Sequence, residues 1–116
     1  MNDSAIEIWS KWLQEQKAED IQVFKVGEVS DVVDFMMVAT ALNTRHLGHM
    51  GEDAMRYAKT ISESMISADG LDGREWIVLD FGDYMIHLML PETRVNINIE
   101  EHLNSVIQKR HLVEED

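Results

Sequence analysis

The apolar positions of this chain change period several times along its length, and the changes divide it into elements. Ile6, Trp9 and Leu13 recur at helical spacing, with Trp12 beside them, so a short helix is predicted from Ala5 to Gln16. Ser4 and Glu7 stand at capping-box spacing at its start. Ile21, Val23 and Phe24 mark a strand from Ile21 to Val26, followed by a loop over Gly27–Asp31. The run Phe35-Met36-Met37-Val38-Ala39 is apolar throughout, which predicts a strand over Val33–Thr40 buried on both faces. Leu47, Met50, Ala54, Tyr57, Ala58, Ile61 and Met65 then follow a helical period, predicting a long helix from Asn43 or Thr44 to about Ser67.

Asp69 to Gly73 reads as a loop rich in turn residues. Glu75–Phe81 and Tyr84–Leu90 are two strands joined by Gly82-Asp83, a pair suited to a tight hairpin turn. Pro91 ends the second strand because it offers no ladder donor. Asn98 and Glu101 have capping spacing for a last helix, with Ile99, Leu103, Val106 and Ile107 as its inner face and a frayed tail beyond. The predicted fold is a single α/β domain over residues 1–116, its core at about 4–103 and its C-terminal helix and tail at 99–116. The order α-β-β-α-β-β-α implies a mixed sheet with helices mainly on one face.

The hairpin register sorts its side chains. With Gly82 and Asp83 in the turn, Asp80 opposes Met85, Val78 opposes His87 and Trp76 opposes Met89. One face then carries Ile77, Leu79, Phe81, Tyr84, Ile86, Leu88 and Leu90 and is the core face. The other carries Trp76, Val78, Asp80, Met85, His87 and Met89. An acid and an imidazole among large apolar groups suit a docking surface, with cover by a helix or a second copy as the alternative.

Charge narrows the partners. The chain has 116 residues and a net charge of −12, which disfavours phosphate-led nucleic-acid binding and anionic membranes and favours a basic protein. With no cysteine, disulfides and thiolate metal sites are excluded. No apolar run reaches membrane-spanning length, and the acidic N-terminus lacks a signal core, so a soluble cytoplasmic protein is expected. His46 and His49, near Glu52 and Asp53, have spacing that could hold a metal ion, but a polar helix face is the plainer account. Asp80 and Asp83 lack a Gly-Ser phosphate loop, and His87 lacks a nucleophile, so catalysis is not expected. Most of the eight Met residues fall on core positions.

Four separated blocks closely resemble the RsfS/Iojap family of ribosomal silencing factors. They are Lys17-Ala18-Glu19-Asp20-Ile21, Asp34-Phe35 through Ala39-Thr40, Arg45-His46, and Glu75-Trp76 through Asp80-Phe81-Gly82-Asp83 to His87, Met89, Pro91 and Arg94. They agree in order from about Glu15 to Glu101. The resemblance implies a nucleotidyltransferase-like fold without transferase activity, no cofactor, and frequent homodimers. It also implies binding to the large ribosomal subunit through ribosomal protein number fourteen, which blocks subunit joining and lowers translation. Carried over residue by residue, it makes Trp76, Asp80, Asp83, His87, Met89, Pro91, Glu92, Thr93, Arg94, Ile97 and Glu100 the partner surface, with Gly82 serving the turn and Arg94 orienting a carboxylate. Ile97 and Leu103 stand where the family usually has Tyr and Trp, and the segment to His111 runs past the usual family ending. An acidic homodimeric adaptor for another protein and a degenerate nucleotidyltransferase that binds nucleotide are the competing functions.

Overall fold

The computed structural model describes residues 3–25 and 33–98. Helix α1 spans Asp3–Glu15, strand β1 Glu19–Lys25 and strand β2 Phe35–Thr40. Helix α2 spans Thr44–Thr60, followed by strands β3 (Ser67–Asp69), β4 (Trp76–Asp80) and β5 (Tyr84–Met89) and helix α3 (Pro91–Ile97). The five strands form one mixed sheet in the order β1-β2-β5-β4-β3. The central pair, β2 and β5, is parallel, and every other pair is antiparallel.

The hairpin register is the expected one: Trp76 opposes Met89, Val78 opposes His87 and Asp80 opposes Met85. Gly82 holds a φ of +90°, open to glycine at little steric cost. A carboxylate oxygen of Asp80 accepts the Gly82 amide at 2.9 Å and braces the turn.

Helices α1 and α2 pack on the first face of the sheet. Trp9, Leu13, Leu47, Met50 and Ala54 meet Phe35, Met37, Ile77, Leu79, Ile86 and Leu88 in one buried cluster. Within it the Trp9 indole N–H donates to the Tyr84 hydroxyl at 2.9 Å, and that hydroxyl donates to Glu63 at 2.8 Å. Burial, aided by the Glu63 hydrogen bond, raises the Tyr84 phenol well above its usual range. It is therefore a neutral donor. The Asn43 side chain caps α2 by accepting the His46 amide at 2.8 Å. His46 Nδ1 accepts the Leu42 amide, and Nε2 contacts the Gln16 carbonyl at 2.7 Å, so the ring ties α1 to α2.

Several sequence expectations change. Helix α1 begins at Asp3, so Ser4 lies inside it rather than capping it. Helix α2 ends at Thr60, not near Ser67, because Ser62 turns into the left-handed region at φ 60°. Ile61 and Met65 still reach the core, but from a connection rather than a helix. Strand β3 instead bridges the expected helix end at Ser67 and the first residue of the expected loop, Asp69, and it pairs Ser67 with Asp80. Pro91 does end β5, and it also opens α3 at a position where its missing N–H costs nothing. Asn98 adopts φ 51° as the C-cap of α3. The helix expected from Ile99 and the loop at 27–31 lie outside the described residues.

Candidate functional site

The second face of the sheet carries the residues singled out on it, but its centre is closed. Trp76, Val78, Asp80 and Met85 are half-buried. His87 is only 2% exposed, and Met36, Val38 and Met89 have no exposure. The expectation of an open docking face therefore fails at His87 and Met89, whose side chains lie beneath other parts of the fold. Ile97 of α3 contributes to that cover, packing with Trp76 and Phe24 against Val38 and Met89.

His87 is held in one state. Its Nδ1 accepts the Trp76 indole N–H at 3.0 Å, which assigns the proton of the neutral ring to Nε2. That buried Nε2 has no hydrogen-bond partner. Burial pushes the imidazole down to about 4, against the opposing pull of the Asp80 carboxylate.

Arg94 also turns inward and is 8% exposed. Its Nη1 donates to the Asp20 carbonyl at 2.7 Å and to the Thr40 hydroxyl at 2.8 Å. It does lie near a carboxylate, 3.6 Å from Asp20. The guanidinium thus pins α3 to the ends of β1 and β2.

The exposed members of the set divide between two ends of the sheet. Asp83 sits in the hairpin turn at one end. Pro91 and Glu92, with the half-buried Thr93 beside them, begin α3 at the other, roughly 20 Å away along β5. Glu100 lies outside the described residues. Asp80 and Asp83 do not converge, since one braces the turn and the other faces solvent. Among the described residues, no group of three or more His, Asp or Glu could hold a metal ion. No helix among them is long and apolar enough to cross a membrane.

Around Pro91 the structure adds two residues that the sequence did not single out. Leu42, just after β2, is 51% exposed, and Val95 on α3 is 77% exposed. Three shallow grooves share Pro91: one toward Leu42 and Leu90, one along Glu92 and Val95, and one of about 490 Å³ toward Glu19, Asp20 and Asn98. The result is an apolar strip, Leu42–Pro91–Val95, with exposed carboxylates of Glu19, Asp20 and Glu92 beside it. Scattered exposed apolar residues are ordinary, but a contiguous strip with a polar rim marks an interaction surface. A larger groove of about 570 Å³ runs past Met55, Lys59 and Glu63, away from all the predicted residues.

A mixed five-stranded sheet with its helices and a net charge of −12 defines a small acidic α/β protein. Over residues 2–112 the chain matches the family described as "Ribosomal silencing factor during starvation", RsfS, and it belongs to that family. The match reaches residue 112, so the segment to His111 falls within the family's extent rather than beyond it.

Relatives include the ribosomal silencing factor RsfS of Treponema pallidum, 33% identical over 76% of this chain and 79% of that protein. The mitochondrial assembly of ribosomal large subunit protein 1 of Mus musculus is 33% identical over 77% of this chain and 40% of its own length. RsfS of Zymomonas mobilis is 28% identical over 76% and 66%. The chain thus spans well under half of the mouse protein and about two thirds of the Zymomonas one. In fold, it superposes on a crystal structure from Chromobacterium violaceum with a TM-score of 0.82 at 23% identity, covering 87% of this chain and 84% of the other.

Proposed function

We propose that this chain docks on the large ribosomal subunit through a basic ribosomal protein and, by occupying that place, keeps the small subunit from joining. The observation that carries this reading is the Leu42–Pro91–Val95 strip flanked by Glu19, Asp20 and Glu92 on a chain of net charge −12. An apolar anchor with an acidic rim suits a basic protein surface, which supplies long-range steering and a place to bury the anchor. Family membership supports the ribosome as the particle. The name of the mouse relative, which concerns assembly of the large subunit, points to the same particle. The sequence resemblance supplies ribosomal protein number fourteen as the partner. No catalytic step is part of the proposal.

The proposed contact set is the exposed Pro91, Glu92, Leu42 and Val95, with the half-buried Thr93 and Trp76 at the edge. Co-sedimentation with purified large subunits at moderate salt tests it. Binding that weakens as salt rises is expected. Failure to co-migrate at low salt rejects the reading. A subunit-joining assay then tests the steric step, because a bound chain should lower the yield of joined ribosomes.

A further inference from the structure

The turn between β2 and α2 is anchored on both sides of Leu42. Ala41 is buried, and its amide donates to the Met89 carbonyl at 2.9 Å. Asn43 has an extended backbone, its side chain takes the His46 amide and its carbonyl takes the Leu47 amide. Leu42 stands between them, half-exposed, and lines a groove with Leu90, Pro91 and Glu92. The amide of an exposed turn residue can simply bond water. That of Leu42 donates instead to Nδ1 of His46 at 2.9 Å.

A backbone amide only donates, so Nδ1 is the acceptor and the neutral ring carries its proton on Nε2. Nε2 lies 2.7 Å from the Gln16 carbonyl, just past α1, and donates to it. Carbonyls at a helix end lack partners within the helix, and this one finds its partner in the ring. With both nitrogens engaged, the imidazole cannot flip without losing both bonds. It is held from the α1 side and offers Leu42 a fixed acceptor on the other.

We propose that His46 is a positioning residue for docking: it sets the Leu42 peptide so that the leucine side chain stands beside Pro91 before a partner arrives. An apolar anchor already in place loses less freedom on binding than one carried on a loose turn. The two ring nitrogens then have separate roles. Nε2 joins α1 to α2, and Nδ1 shapes the surface. The role in docking rests on the ribosomal reading of the Leu42–Pro91–Val95 strip, whereas the hold on the Leu42 amide does not.

Two variants separate the nitrogens. Asparagine places an amide oxygen near the position of Nδ1, and glutamine places its amide nitrogen near that of Nε2. His46→Asn therefore keeps the acceptor for Leu42 and drops the bond to Gln16, and His46→Gln does the reverse. Full chains are compared by amide hydrogen exchange and by co-sedimentation with large subunits, at a temperature where all remain folded. The Leu42 amide should be protected in the unchanged chain and in His46→Asn, and should exchange rapidly in His46→Gln. Binding should stay within about twofold for His46→Asn and weaken about tenfold for His46→Gln, the scale of one further group to order on docking. On a Leu42→Ala background His46→Gln should add no further loss, because the side chain it positions is gone. Equal affinity of the two variants, or a full added loss on that background, overturns the positioning role. A freely exchanging Leu42 amide in the unchanged chain overturns the hold itself. If the unchanged chain does not bind large subunits, the ribosomal reading fails, and the docking role with it, while exchange still decides the hold.

Discussion

Trp76 donates its indole N–H to Nδ1 of His87 across the β4–β5 pair, at 3.0 Å. The two are diagonal neighbours, since Trp76 opposes Met89 and Val78 opposes His87. The bond fixes the tautomer of a buried ring and makes neutrality a condition of the native packing.

Stability should therefore depend on pH in a definite direction. The folded imidazole titrates at about 4, below its ordinary 6.5. As pH falls through 6.5, the unfolded chain takes up a proton that the folded chain refuses, so folding weakens until about pH 4. The loss from this group is on the order of 3 kcal/mol. Urea denaturation at stepped pH should show this slope in the native chain and a flatter one in His87→Gln. Equal slopes would mean that His87 is not the buried neutral group described.

Tyr84→Phe should destabilise by about 2 kcal/mol. It strips the acceptor from the buried Trp9 indole and the donor from Glu63. Urea midpoints measure the loss. A neutral result would mean that water replaces the hydroxyl.

Arg94→Met should also act on folding rather than docking. It removes the bonds to the Asp20 carbonyl and the Thr40 hydroxyl, a loss of about 2–3 kcal/mol for bonds from a charged donor. If the variant kept full stability but lost large-subunit binding, Arg94 would be a contact residue.

Val95→Asp is the converse case. At 77% exposure its effect on stability should stay within about 0.5 kcal/mol. Affinity for large subunits should fall about tenfold, as expected when a central apolar contact becomes charged. Unchanged affinity in co-sedimentation would remove the Pro91 strip from the docking surface.

Much of this was legible in the sequence wherever a strong local signal existed. Gly82-Asp83 between alternating runs fixed the hairpin, and the core face from Ile77 to Leu88 followed from its parity. Strand β3 was not legible, because three residues, Ser67-Ala68-Asp69, offer no period to read. The end of α2 was hidden because neither Gly nor Pro marks it, and Ile61 and Met65 continue a helical spacing that the backbone abandons at Ser62. At the candidate site, alternation grouped Trp76, His87 and Met89 correctly but could not tell a covered face from an open one. Leu42 and Val95 carried no motif, and only the meeting of the β2 end with α3 brings them beside Pro91.

The central parallel pair also sets an order of events for a chain made from its N-terminus. Phe35 on β2 pairs beside Tyr84 on β5, so the middle of the sheet stays open until nearly the whole described domain has been synthesised. Until then, β2 presents an unpaired edge with the apolar run Phe35 to Ala39 along it. Such non-local closure is slow, and the waiting strand is a template for mispairing. Release of the newly made chain before β5 has emerged would leave that edge for other chains to find.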